Sequence, residues 1–507
     1  MKRLITLFIL ATLVVATGLA KPRQKDLSGS IAVRGELKKA YKTAPVGTSI
    51  IIRRVVKMNK PDNYNSNIYY AVEINGVQES IPAEEMNMIT LAKPETDKEF
   101  WQQVYLKKHL YEHFNNRGYK QKLRQEIDEE CLDYLDKLQE IAYQDDYMTS
   151  YVQGVFAKLN TTNIDPNRAE NLNIRLIQSP EPDAFMLPNG SMVVSTGLLC
   201  TLDSEDELAA IIANELTHFV LDHQVENIYI AERRAKRAAF WAGVFSDVAN
   251  AALDVAYWDD NDKAYTISLV ADIGMVASLL SIPATDRLGM KYKISQENIS
   301  DNIARDLLIF KGYNPDGLAS ALNKITDYYN LQLRSDDITR YNSVKDLLKR
   351  VEKIGVGQSL HSRPYLKATS DVVTFNASMN YANKRYKEAT RLIRKNMDNK
   401  LATDNDYIIL VKSQMALTNT EETNNQCLSL LDKAQELIGE NHNLDIYKQR
   451  ILLLMRMNKQ AKAADTLKEY LTLLTRYQEQ GMESEEKDWT KKEIGWASQM
   501  LDRVSRI

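Results

Sequence analysis

The sequence predicts an α+β fold that is mainly α. Three patterns carry this reading. Residues 28–92 are dense in Ile and Val and contain an Asn-Gly turn signal. The stretch Glu207 to Asn227 has the apolar spacing of a buried helix. From Phe375 onward, apolar residues and alanines recur in paired helical blocks.

At 507 residues the chain has room for two to four domains. Hydrophobic content of 44% and charged content of 26% are ordinary for a globular protein. A net charge of −3 gives no reason to expect a nucleic-acid partner. Residues 1–20 read as a signal peptide: Lys2 and Arg3, an apolar run from Leu4 to Val15, then Gly18-Leu19-Ala20 as small-residue cleavage text. The expectation is an exported protein, periplasmic or extracellular and possibly membrane-associated, with Lys21 near its mature start. No cysteine follows the apolar run, which argues against a lipid anchor. Cys131, Cys200 and Cys427 are odd in number and far apart, so no disulfide framework is indicated.

The elements follow in order. In residues 28–92, Ser49 to Met58 reads as a strand, and Tyr69–Ile74 and Val77–Ile81 flank Asn75-Gly76 as a hairpin. Size and spacing suit a small SH3-like β-barrel, read as a packing module in preference to a peptide-binding one. Lys93 to Thr96 is a linker. Residues 97–150 form a charged helical connector, in which His109 and His113 stand at ligand spacing without a partnering glutamate or third ligand. They read as packed or exposed histidines. Asn173–Ile177 and Met192–Ser195 read as strands of a small sheet over the Glu207 helix. An edge strand of such a sheet can take peptide backbone by strand addition. Asp203 or Ser204 would cap that helix.

Residues 238–290 hold two apolar runs, interrupted by Asp247, Asp254 and Asp272. An aspartate at bilayer depth costs about 2.5–3.5 kcal/mol, so lid helices are preferred over a membrane-inserting hairpin. Residues 375–507 read as tetratricopeptide-like helical repeats that hold a protein partner. Repeats contact mainly their neighbours, so this part is expected to be separable from the rest.

The chemistry sits in Asn214-Glu215-Leu216-Thr217-His218, one letter from H-E-x-x-H. In that motif two histidines at i and i+4 share a helix face and one zinc, and the glutamate activates the zinc-bound water. Around it stand Asp183-Ala184-Phe185-Met186-Leu187-Pro188-Asn189-Gly190, then Glu297-Asn298-Ile299-Ser300-Asp301, Gly312-Tyr313-Asn314-Pro315 and His361-Ser362-Arg363-Pro364. In order and spacing these resemble zinc metallopeptidase family 48, the family of HtpX, the CAAX prenyl proteases and BepA. The resemblance implies a zincin-like metallopeptidase core over residues 151–370, a protein or peptide substrate, and zinc as the cofactor. It implies Glu215 as general base, His218 and Glu297 as zinc ligands, and Asp301 as support for the ligand shell.

Asn214 holds the first ligand position, and a neutral amide oxygen cannot reproduce an imidazole–zinc bond. Zinc occupancy is therefore doubtful. His223 lies nine residues from Asn214, about 900° around the helix, and so faces the other way, and Asp222 would draw a metal away from Glu215. His361 is the candidate that could complete the set. Two functions follow: an exported zinc metalloendopeptidase acting on cell-envelope proteins, or a catalytically inactive pseudopeptidase serving as a protein-binding or chaperone-like scaffold.

Overall fold

The structure, a computed structural model, describes residues 24–58, 67–114, 119–160, 173–232, 290–331, 336–338, 342–355, 357–479 and 484–505. The expected signal peptide and nearly all of the apolar segment 238–290 lie outside the described residues. The chain divides into two compact units, one ending its main run at Gln125 and the other beginning at Glu126.

The first unit is built on antiparallel strands: β1 (Gln24–Asp26), β2 (Val33–Leu37), β3 (Ser49–Met58), β4 (Asn67–Ile74), β5 (Val77–Pro82) and β6 (Ile89–Leu91). Their order is β5-β4-β3-β2-β6, with β1 also paired to β3. The β4–β5 hairpin turns at Asn75 (φ 52°) and Gly76 (φ 77°). Positive φ at both central residues is the turn the Asn-Gly pair favours, because its twist matches that of the strands. Alternate residues of the sheet fill one core, with Val33, Ile52, Val55, Tyr70, Val72 and Ile81 fully buried. The expectation of an SH3-like barrel is corrected in one respect: the described strands form an open sheet, with no ladder joining β5 to β6. After it come α1 (Asp97–Lys107) and α2 (Tyr119–Glu126). Between these helices His109 bonds the Tyr111 hydroxyl at 2.7 Å and His113 stacks on Tyr105.

The second unit opens with α3 (Asp128–Leu138) and α4 (Asp146–Leu159). A three-stranded sheet follows: β7 (Ile174–Ile177), β8 (Ala184–Met186) and β9 (Met192–Ser195), in the order β7-β9-β8. Met192–Ser195 is thus the central strand, and its pairing on both sides leaves it no edge for an added strand. β9 runs straight into α5 (Thr196–Thr201), capped by the Ser195 hydroxyl. The next helix, α6 (Glu205–Val220), is the axis of the unit, and every residue from Glu207 to Val220 is buried. Ser204 caps it in a reciprocal box with Glu207, a device worth about 0.5–2 kcal/mol. α6 ends because Asp222 adopts φ 62°, a left-handed conformation that aspartate tolerates better than most residues. The chain restarts at once as α7 (His223–Glu232).

Packed on α6 are α8 (Ile294–Lys311) and α9 (Gly317–Leu331), with α10 (Val344–Ile354) lying against both of these. Gly317 lets α9 close on α6, since a Cβ there would strike the Asp206 carbonyl. The remaining helices pack in sequence, each on the next: α11 (Arg363–Ala382), α12 (Tyr386–Asp398), α13 (Asp404–Leu417), α14 (Glu421–Ile438), α15 (Leu444–Arg456), α16 (Gln460–Glu479) and α17 (Ser484–Ser505). α11 runs unbroken through residue 375, where the repeats were expected to begin, and packs on α5.

Candidate active site

Two helices face each other in opposite directions and meet in two polar rungs. α6 presents Asn214 and His218 one turn apart, and α8 presents Glu297 and Asp301 one turn apart. In one rung the Asn214 amide donates to Asp301 Oδ1 at 2.8 Å. In the other, His218 Nε2 lies 3.3 Å from Glu297 Oε2. All four side chains are buried, as is Glu215 beside them. The structure therefore brings together Asn214, Glu215, His218, Glu297 and Asp301.

Three further residues complete the cluster. Arg350, from the buried face of α10, forks onto Asp301, with Nε at 3.0 Å from Oδ2 and Nη2 at 2.6 Å from Oδ1. The same Nη2 lies 3.0 Å from Glu297 Oε2. Burial pushes the Asp301 carboxyl above its ordinary value, and Arg350 opposes that rise. His223 sets its Nδ1 3.0 Å from the His218 Nδ1. Tyr292 stacks on the His218 ring, with centroids 3.5 Å apart. Its hydroxyl accepts from Gln224, which also donates to the Met186 carbonyl.

Helical periodicity excluded His223, and that argument fails because the helix stops before it. The positive φ of Asp222 turns the chain back toward His218, and no glycine or proline marks the break. Arg350 carries a faint sequence signal: it shares the apolar stripe of Val344, Leu347 and Val351 on α10. Tyr292 carries none.

His361 is elsewhere. It is exposed, and its neighbours are tied to the amino-terminal end of α6. Ser362 N–H donates to the Asp203 carbonyl at 2.8 Å, and Lys324 donates to the Leu360 carbonyl at 2.9 Å. From Ser204 to Asn214 the helix rises about 15 Å. The tether that holds this segment at the cap keeps His361 out of the cluster.

Residues 148–368 match the model of peptidase family M48.

That match covers the α4–α10 core and the start of α11. Shorter likenesses agree with it. Over 55 residues the chain is 42% identical to Mitochondrial metalloendopeptidase OMA1 of Schizosaccharomyces pombe, covering 11% of this chain and 16% of that protein. Over 56 residues it is 39% identical to the Metalloendopeptidase OMA1, mitochondrial, of Bos taurus, covering 11% of each. The matched stretch thus spans less than a fifth of these curated relatives. Both are named as mitochondrial, and this overturns the expectation of a periplasmic or extracellular protein. A basic pair before a short apolar run does not by itself name a compartment. Among the described residues no helix is long and apolar enough to cross a membrane.

M48 peptidases use zinc, and the donors within the matched residues test whether this chain fits it. A tetrahedral ion bound at about 2.0–2.1 Å would hold its ligand atoms roughly 3.3–3.4 Å apart, so His218 Nε2 and Glu297 Oε2 have a suitable spacing. The set stops there. Asn214 offers a neutral amide where an imidazole would stand, its nitrogen donating to Asp301, and His223 approaches the wrong nitrogen of His218. Arg350 lies on the Glu297 oxygen that faces His218. Among the described residues no group of three His, Cys, Asp or Glu side chains could hold a metal ion. A catalytic zinc takes three protein ligands and an open position; these residues do not fit one.

Proposed function

We propose that this chain is a catalytically inactive member of the M48 metallopeptidase group that binds a protein or peptide segment without cleaving it. The observation that carries this reading is the Asn214–Asp301 bond. The first ligand position holds a neutral amide in place of an imidazole, and its nitrogen donates to the residue that the family pattern gives as support for the ligand shell. The peptidase family implies a protein or peptide as the bound molecule. In this reading the helices from α11 onward are tetratricopeptide-like repeats that give a second protein surface.

One observation favours the alternative, a zinc-dependent endopeptidase: the 3.3 Å spacing of His218 Nε2 and Glu297 Oε2, with Glu215 buried beside them. The two readings separate on fluorescein-labelled casein. The inactive reading expects fluorescence anisotropy to rise on mixing, with no fragments released, with or without added zinc chloride. Zinc-dependent cleavage that Glu215→Gln abolishes would establish the peptidase instead.

A further inference from the structure

The two carboxylates Glu297 and Asp301 are one turn apart on one buried helix face. Side by side and without a cation they would repel each other in a medium that screens poorly. In a zinc-dependent relative the metal supplies positive charge beside such a glutamate. Here the guanidinium of Arg350 touches both.

We propose that Arg350 takes the electrostatic place of a metal ion in this core. Resting on the inactive reading above, the inference says what replaced the zinc. One Nη2 reaches Glu297 Oε2 at 3.0 Å and Asp301 Oδ1 at 2.6 Å, so a single cationic atom joins both rungs between α6 and α8. Glu297 Oε2 is also the atom 3.3 Å from His218 Nε2. A metal between His218 and Glu297 would share that oxygen with a guanidinium, and two cations on one oxygen repel. Arginine stays protonated in proteins, so the charge cannot be shed to admit a metal, as it could from a lysine or histidine. The residue is delivered by burial: Val344, Leu347 and Val351 seat α10, and Ser343 caps it. Arg350 is thus a positioning residue. It holds Glu297 toward His218 and Asp301 toward Asn214.

The test uses the full chain and three proteins: wild type, Arg350→Met, and a neutral triple variant, Arg350→Met with Glu297→Gln and Asp301→Asn. Melting is followed in metal-free buffer and with zinc chloride, and bound zinc is counted after dialysis. The wild-type melting temperature should ignore zinc and chelator. Arg350→Met should melt roughly 5–10 °C lower, because an uncompensated buried charge is left behind. It should take up zinc and recover part of the loss with it. The triple variant should melt above Arg350→Met in metal-free buffer and show no rise with zinc. This separates a charge role from packing, since all three substitutions together remove more native contacts but leave no buried charge uncompensated. An Arg350→Met protein that melts like wild type, or that gains nothing from zinc, overturns the proposal. So does a triple variant no more stable than the single one. If Arg350→Met fails to fold, folding of the triple variant supports the proposal and its failure overturns it. Zinc in the wild type would instead sink the inactive reading, so the two claims fail on different samples.

Discussion

Ending the chain at Thr374 should unfold the M48-like core, although the helical pairs beyond read in sequence as a separable array. The cut falls inside α11 (Arg363–Ala382). It removes Asn376, whose amide reaches Cys200 Sγ at 3.1 Å and Thr196 Oγ1 at 3.3 Å. It removes Arg385, which bonds Glu181 at 3.3 Å and the Tyr328 hydroxyl at 3.1 Å. It also removes Lys395, which donates to the carbonyls of Cys200 and Leu202 at 2.6 and 2.7 Å and pairs with Asp203 at 2.6 Å. Charged hydrogen bonds are worth about 1.5–3 kcal/mol each, and neutral ones about 1. The buried side chains of Met379, Leu392 and Ile393 are lost as well, at about 1.5–3 kcal/mol each. The loss is about 10 kcal/mol or more, as large as the ~5–15 kcal/mol that holds a typical domain. A chain ending at Lys400 keeps α11, α12 and all these contacts. By circular dichroism it should melt cooperatively, and the chain ending at Thr374 should not. A cooperative transition in the shorter chain, near that of the longer one, would refute the reasoning.

Other outcomes follow from the same contacts. With Arg350→Met already in place, adding Asn214→His should tighten zinc binding about a hundredfold in competition titrations, if one ligand is worth about a quarter of the ~10–16 kcal/mol of a four-ligand site; equal affinities would count against the ligand assignment. Ser204→Ala should cost about 1–2 kcal/mol by removing the α6 cap, read from urea unfolding midpoints. All three thiols should be silent to a thiol reagent at pH 8 in the native protein and react on unfolding, because all are buried and burial pushes Cys200 up to about 12 and Cys427 to about 11; fast native labelling of Cys200 would contradict this. Burial pushes the Asp203 carboxyl up, but Lys395 and Lys324 outweigh it and hold it below its ordinary value. Its contribution is therefore full above about pH 4 and lost as pH falls through the lower folded value, so Asp203→Asn should flatten the acid limb of stability against pH.

What was legible in the sequence was mostly local. The Asn75-Gly76 turn and the Ser204 cap depend on residues within a few positions of one another, and each is found where the pattern puts it, whereas the single helix expected from Glu207 to Asn227 is divided at Asp222. Glu297 and Asp301 were legible only through the family pattern, since 79 residues separate Glu297 from His218. What was not legible depends on pairing or breaks that no short pattern encodes. β9 became the centre of its sheet because β8 and β7 bracket it. His223 entered the cluster because one aspartate turned left-handed. Arg350 arrived from 49 residues beyond Asp301. His361 left the cluster because its loop is tied to the far end of α6.

The central claim is that this core has given up its metal. Purified wild-type protein, incubated with zinc chloride, dialysed and assayed by inductively coupled plasma mass spectrometry, tests it most directly. The predicted result is zinc far below one ion per chain, unchanged by Glu297→Gln. One zinc per chain, lost on Glu297→Gln or His218→Ala, would contradict it.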